Sequence, residues 1–342
     1  MRLVTKQTQA PTRVSVLGAG SWGTTIASLM ARNADVCLWA RDPAVEREVN
    51  DAHTNQRYLP DASLSPRLRA TSDLVEAVVR GDVLVMAIPS QNYREVLMKA
   101  APHLLPGVPI VSLTKGLELS TRLRMTEVTT QVCPDHVTGA LTGPNLAREV
   151  IAGYAAACVL AMPDEASAKR LQPLFHTRVF RVYRNNDVIG SELGGVLKNV
   201  IAVAAGMGDG QGAGENTRSA LITRGLAEIT RLGVALGGRT ETFSGLAGMG
   251  DLVATCTSPQ SRNHHVGVEL GKGRSIDDIT AEMFMVAEGV KSAPAVVALA
   301  REHNVEMPLV EGVFNVVQGK LTASQAVREI MRADIGSEAE PN

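Results

Sequence analysis

Gly18-Ala19-Gly20-Ser21-Trp22-Gly23 has the spacing G-x-G-x-x-G, follows the strand-like run Val14–Leu17 and leads into a helical stretch. In that context the pattern suits a pyrophosphate. Gly18 permits the tight turn, Gly20 lets a phosphate approach the backbone, and Gly23 lets helix and strand pack closely. The helix N-terminus offers N–H donors to the anion. With no nucleotide, the same residues make only a tight turn. The residue that reads the ribose is expected about 20 positions on, after the second strand. There the chain reads Trp39-Ala40-Arg41-Asp42-Pro43. Asp42 before Pro43 is a helix cap, which leaves Arg41 for the ribose edge. A guanidinium there leans toward NADPH, or toward use of both NADPH and NADH. The plain alternative is a solvated surface charge.

Two lysines stand out. Lys115 follows the strand Ile110–Leu113, and strand ends in open α/β sheets face the ligand crevice. A loop lysine in solvent is the competing reading. Ile189, Leu193, Val196, Leu197, Val200, Ile201 and Ala204 recur at helical spacing. Lys198 falls opposite that stripe, among Ser191, Gly194, Gly195, Ala202 and Ala205. Small residues allow another body to approach closely, and a lysine there loses hydration, which lowers its pKa toward an acid/base range. A packed stem with a snorkelling head is the alternative.

In Thr257-Ser258-Pro259-Gln260-Ser261-Arg262-Asn263, Ser258 reads as a cap and Pro259 as the first helical residue. Arg262 and Asn263 then sit in the first turn, where N–H groups, the helix dipole and a guanidinium make an anion site; a simple capped helix fits equally. Asp251 either orients a lysine or a hydroxyl, or caps a helix. His264-His265 lack a partner at ligand spacing, so no metal is expected. Gly206–Gly214 lacks the Walker pattern and reads as an inter-helix loop or hinge.

Strands and helices alternate through the first half. Strands are expected at Val14–Leu17, Val36–Trp39, Val83–Ile88, Ile110–Leu113, Ala140–Thr142, Ala155–Leu160 and Val179–Tyr183, with helices after Asp42 and over Ser72–Val79, Glu95–Ala100 and Leu123–Gln131. This implies a mostly parallel sheet covered on both faces. Beyond about residue 187 only helical periodicity remains, including Leu221–Leu236, Pro294–His303, Pro308–Gly319 and Ser324–Met331. The fold class expected is an α/β Rossmann-type N-terminal domain plus an all-α C-terminal domain: 13–188 for dinucleotide binding and 189–333 for substrate and catalysis, with flexible termini at 1–12 and 334–342.

The chain has 342 residues, a soft prior of about two domains. It is 45% apolar and 20% charged, which excludes a disordered or collagen-like chain. A net charge of −1 and 3% aromatics argue against a nucleic-acid or anionic-membrane binder. Four scattered cysteines, Cys37, Cys133, Cys158 and Cys256, suit a reducing cytoplasm. The polar N-terminus is no signal peptide, and the longest apolar run, around Ile151–Met162, is too short to span a bilayer.

Taken together, GAGSWGTTIA (18–27), SLTKGLE (112–118), LTGPNLAREV (141–150), LGGVLKNVIAVAAGMGDG (193–210), LITRGLAEITRLG (221–233), GLAGMGDLVATCTSPQSRN (245–263) and AEGV (287–290) resemble the bacterial NAD(P)-dependent glycerol-3-phosphate dehydrogenases. The resemblance implies reversible hydride transfer between NADPH or NADH and C2 of dihydroxyacetone phosphate, yielding sn-glycerol 3-phosphate for glycerophospholipid synthesis, and a homodimer. It makes Lys198 the proton donor and acceptor. It makes Lys115, Gly143, Asn145, Lys198, Asp251, Ser261, Arg262 and Asn263 the substrate contacts. Cofactor contacts would be Gly18, Gly20, Ser21, Trp22, Gly23, Arg41, Tyr58, Lys115, Ala147, Arg262, Val286 and Glu288. Some relatives have threonine where Asn145 stands, and an aromatic or arginine pair where His264-His265 stands. Rival readings are a β-hydroxyacid dehydrogenase, which would want a carboxylate site, and a non-catalytic nicotinamide-binding regulator, which has no use for Lys198.

Overall fold

The computed structural model describes residues 12–283 and 287–332. The expected termini lie almost wholly outside the described residues. Eight strands form one sheet: β1 Arg13–Leu17, β2 Asp35–Trp39, β3 Arg69–Thr71, β4 Val83–Met86, β5 Ile110–Ser112, β6 Thr138–Thr142, β7 Ala156–Ala161 and β8 Phe180–Asn185. Their order is β3-β2-β1-β4-β5-β6-β7-β8. All neighbours run parallel except β6 and β7, which pair antiparallel through Leu141 and Leu160. Strand order reverses between β1 and β4, and that switch point opens a crevice at the carboxyl ends of the strands. Val83–Met86 is buried at every residue, as a parallel strand covered on both faces requires. The three-residue edge strand β3 escaped the sequence reading.

Helices of the sheet half are α1 Ser21–Met30, α2 Pro43–Arg47, α3 Leu74–Val78, α4 Ser90–Ala100, α5 Met125–Val132, α6 Ala147–Ile151 and α7 Glu165–Phe175. Asp42 caps α2 by accepting from the Ala44 N–H at 2.9 Å. The helical half comprises α8 Val188–Gly210, α9 Glu215–Ala235, α10 Thr240–Phe243, α11 Asp251–Thr257, α12 Arg262–Gly271, α13 Ile276–Glu282, α14 Glu288–Glu302, α15 Pro308–Val317 and α16 Ala323–Arg332. A Rossmann-type α/β domain is thus followed by an all-α domain. The helix expected at Pro294 starts six residues earlier at Glu288, with Pro294 inside it.

The axis of the helical domain is α8. Its 23 residues are long and apolar enough to cross a membrane, yet they are buried within the protein. The expected longest apolar run, 151–162, is instead divided between the end of α6, a turn and β7. Leu193, Leu197, Val200 and Ile201 enter the helical core with Ile229, Leu252 and Val296. The opposite face meets the sheet domain: a methyl group at Gly195 would lie 2.8 Å from Thr142 Oγ1. Val196 packs with Leu117 and Ala295 across the seam. On the same helix, buried Glu192 accepts from Arg124 Nη1 at 2.7 Å and from the Thr126 N–H at 3.0 Å. Both faces of α8 are covered, so an amphipathic reading describes only half of it.

Two further sequence expectations need correction. Gly206–Gly210 is not loop but the last turn and a half of α8; only residues 211–214 connect to α9. A methyl group at Gly206 would stand 2.2 Å from the His264 carbonyl oxygen, and one at Gly267 would stand 2.2 Å from that of Val203. Glycine is a weak helix former, but backbone-to-backbone packing of α8 on α12 overrides that propensity. The second correction concerns the start of α12. Ser258 ends α11, and residues 259–260 form a turn. Ser261 is the N-cap, its Oγ accepting from the His264 N–H at 3.2 Å. Pro259 suits a tight turn as well as a first helical residue, so the sequence signal was off by one turn.

Candidate active site

The glycine turn at the head of α1 has a separate reason for each glycine. Gly18 has φ of 113°, and a methyl group there would meet the Ala87 carbonyl oxygen at 2.5 Å. One at Gly23 would meet the Gly18 carbonyl oxygen at 2.0 Å. At Gly20 it would meet nothing within 4 Å. The turn is therefore closed by Gly18 and Gly23 and open at Gly20, where α1 begins without a side-chain cap. Open space, uncapped N–H groups and the positive helix end fit the pyrophosphate of a dinucleotide. Asn55, which the sequence did not single out, holds the turn from beneath: its Nδ2 donates to the Ala19 carbonyl at 3.0 Å and to Thr24 Oγ1 at 2.9 Å.

Around this turn lie further residues expected at the cofactor. Ser21 Oγ donates to the Tyr58 carbonyl at 2.8 Å. The Arg57 guanidinium covers the Tyr58 ring at 5.5 Å and lies 3.6 Å from Asp42. Arg41 is exposed just beyond β2. Trp22 packs edge-on to Phe180, and its buried Nε1 has no partner among the described residues. Ala147 opens α6, its carbonyl accepting from Thr25 Oγ1 at 3.4 Å. Val286 lies outside the described residues.

At the seam between the domains two lysines converge on one carboxylate. Asp251 at the start of α11 is 2% exposed. Its Oδ2 accepts from Lys115 Nζ at 2.6 Å, and its Oδ1 lies 3.0 Å from Lys198 Nζ. Lys115 also donates to the Gly143 carbonyl at 2.8 Å, and Lys198 to Thr255 Oγ1 at 2.5 Å. Thr255 was missed, although it lies one helical turn after Asp251 on the same face. Lys198 is 5% exposed. Burial lowers its pKa to about 8; Asp251 opposes that shift and the charge on Lys115 adds to it. Next to this cluster, Asn145 Nδ2 and Oδ1 and Thr142 Oγ1 are buried without partners among the described residues. Buried polar atoms carry a desolvation penalty unless paired, so these orphans fit a polar ligand.

The far wall is the head of α12. Asn263 Nδ2 donates to Asn199 Oδ1 at 3.0 Å, and its Oδ1 accepts from the Gly289 N–H at 2.9 Å. Arg262 is exposed, and its charge interacts with Glu288 at the start of α14. Glu288 has its pKa raised by burial, against a hydrogen bond from Ser90 Oγ at 3.3 Å. Lys115, Gly143, Lys198 and Asp251 are thus in direct contact. Asn263 is tied to Asn199, the residue after Lys198, and Ser261 caps the same turn.

Family models for the NAD-dependent glycerol-3-phosphate dehydrogenase N-terminus and C-terminus match residues 13–168 and 187–328. The chain belongs to the NAD-dependent glycerol-3-phosphate dehydrogenases. It is 61% identical to glycerol-3-phosphate dehydrogenase [NAD(P)+] 2 of Sphingopyxis alaskensis, over 96% of this chain and 99% of that protein. It is 51% identical to glycerol-3-phosphate dehydrogenase [NAD(P)+] 1 of Mycobacterium tuberculosis, over 95% and 96% of the two. The crystal structure of glycerol-3-phosphate dehydrogenase from Coxiella burnetii superposes with a TM-score of 0.89 at 38% identity, over 94% of this chain and 99% of that one. Membership makes this chain an oxidoreductase that uses NAD(P) and acts on glycerol 3-phosphate.

Proposed function

We propose that the dehydrogenase catalyses the reversible reduction of dihydroxyacetone phosphate to sn-glycerol 3-phosphate, with Lys198 as the proton donor and acceptor. The observation that carries this reading is the Lys198–Asp251–Lys115 cluster, its first two members buried, beside the unpaired Asn145. The nicotinamide cofactor, when bound, supplies the hydride. Negative charge then grows on the ketone oxygen, and the Lys198 ammonium stabilises it and delivers its proton. Thr255 and Asp251 hold Nζ in place, and Lys115 adds positive charge. A lysine at about 8 is roughly nine-tenths protonated near neutral pH, so the proton for ketone reduction is in place there.

Arg262 and the N-terminus of α12 hold the phosphate, whose binding energy orients the reacting carbon. Gly143, Asn145, Ser261 and Asn263 complete the substrate contacts. On the cofactor side the glycine turn with Ser21 and Trp22 takes the pyrophosphate half, and Tyr58, Ala147 and Glu288 line the cleft. Arg41 faces the ribose edge and supports use of NADPH beside NADH. The product supplies glycerophospholipid synthesis. Four free cysteines suit a reducing cytoplasm, and near-zero net charge suits a partner that is neither nucleic acid nor anionic membrane. A homodimer completes the reading.

The test compares NADH and NADPH oxidation with dihydroxyacetone phosphate and with unphosphorylated dihydroxyacetone. Rapid oxidation confined to the phosphorylated ketone is expected, with Arg262→Ala raising its KM. Equal use of both ketones would remove the phosphate grip, and turnover of a β-hydroxyacid instead would favour a carboxylate-binding enzyme.

A further inference from the structure

Asp209, near the end of α8, is a charged and mostly buried group that the chemistry above does not use. Arg218 Nε, at the start of α9, donates to both of its oxygens at 3.0 and 3.1 Å. Its Oδ2 lies 2.6 Å from His264 Nε2. The two side chains are only 12% and 15% exposed. His264 is the third residue of α12, directly after Arg262 and Asn263, and its backbone N–H is held by the N-cap Ser261. One carboxylate therefore ties three helices together: the one that carries Lys198, the next in the chain, and the one whose first turn carries Arg262.

The geometry around it leaves the first turn of α12 little freedom. Glycine packing fixes the separation of α8 and α12, since Gly206 and Gly267 approach without side chains between them. Gly206 and Gly210 of α8 and Gly267 and Gly271 of α12 all face this seam, so the packing limits rotation as well as approach, and polar ties nearer the start of α12 refine where its first turn stands. Among the described residues, ties that join α8 to the head of α12 include Asn199 with Asn263, and Asp209 with His264. In the second, the ring donates from Nε2 to the carboxylate as its Nε2–H tautomer. Arg218 and Glu215 face the pair from α9, their own ion pair being 2.7 Å.

We infer that the Asp209–His264 bond is a positioning device for the phosphate grip, setting where Arg262 and the head of α12 stand relative to Lys198. The inference rests on Arg262 holding the phosphate. Neither residue touches the reacting atoms, so their loss should displace the phosphate and not the chemistry.

The experiment measures kcat and KM for dihydroxyacetone phosphate, with NADPH affinity and thermal melting, in four variants. His264→Leu is expected to raise KM for dihydroxyacetone phosphate about tenfold with kcat within about twofold of the parent, as a modest displacement of a remote binding group does, and with a smaller change in NADPH affinity, since Arg262 is only one of many cofactor contacts. His264→Arg keeps a donor toward Asp209 and should restore most of the KM. A merely structural role would lower kcat through loss of active protein and leave KM alone, and that result overturns the inference. Should His264→Leu not fold, His264→Phe, which keeps a ring and removes the donor, must show the same KM-confined loss. Arg262→Ala separates the two readings. If it leaves KM unchanged, the phosphate grip itself is wrong. If it raises KM and His264→Leu does not, only the positioning role falls.

Discussion

Asp251 sits between two ammonium groups, and replacing it with asparagine tests what sets the Lys198 pKa. The carboxylate lies 3.0 Å from Lys198 Nζ. At an effective dielectric of about 20, unit charges about 3 Å apart attract by roughly 5 kcal/mol, or roughly four pKa units. The asparagine oxygen still accepts a hydrogen bond and the site relaxes, so about half of that, roughly two units, is the working expectation. Asp251 raises the Lys198 pKa, so removing its charge lowers it, from about 8 toward roughly 6. A proton donor is active below its pKa and loses activity as pH rises through it. Near pH 7 the protonated fraction then drops from about nine-tenths to about one-tenth, a roughly tenfold loss in the rate of ketone reduction. The assay is the pH profile of kcat for NADPH oxidation at saturating dihydroxyacetone phosphate. The parent should lose activity through about pH 8, and Asp251→Asn should regain it on acidification toward about pH 5. Oxidation of glycerol 3-phosphate should show the opposite trend, since the neutral amine is then the base. An Asp251→Asn profile that keeps its inflection near 8, or moves it upward, refutes the reasoning.

Two further substitutions probe scaffold and specificity. Gly206→Ala places a methyl group 2.2 Å from the His264 carbonyl oxygen. It should destabilise the helical domain by about 3 kcal/mol or more, read as a lower denaturant midpoint at an unchanged m-value; an unaltered midpoint would mean the two helices separate freely. Arg41→Ala should weaken NADPH binding roughly 10- to 100-fold, the worth of a charge-assisted contact, and leave NADH nearly unaffected. Equal losses for both cofactors would take Arg41 away from the 2′-phosphate.

Legibility in the sequence followed how local each cause is. The glycine turn was readable because Gly18, Gly20 and Gly23 act within six residues and beside their own strand and helix. Lys198 was readable because a lone charge among small residues on a helix stands out by periodicity, whichever body covers it. Asp251 was readable as a candidate but not as the carboxylate shared by both lysines, because Lys115 reaches it across 136 positions. Asn55 beneath the glycine turn and Asp209 beside His264 stayed hidden for the same reason: their partners are remote in the chain. The glycines at 206–210 misled because propensity favours a loop where packing demands a helix. Pro259 misled because a turn and a helix start use the same residue.

The proposed reaction turns on Lys198 giving the ketone its proton. Lys198→Met keeps the length of the side chain and removes its ammonium group. The direct measurement is kcat for dihydroxyacetone phosphate reduction in this variant, beside its NADPH affinity and melting temperature. The expected result is a loss of about 10²- to 10⁴-fold in kcat, the usual worth of a positioned acid, with NADPH binding and folding intact. A folded Lys198→Met enzyme that turns over within a few-fold of the parent would contradict it.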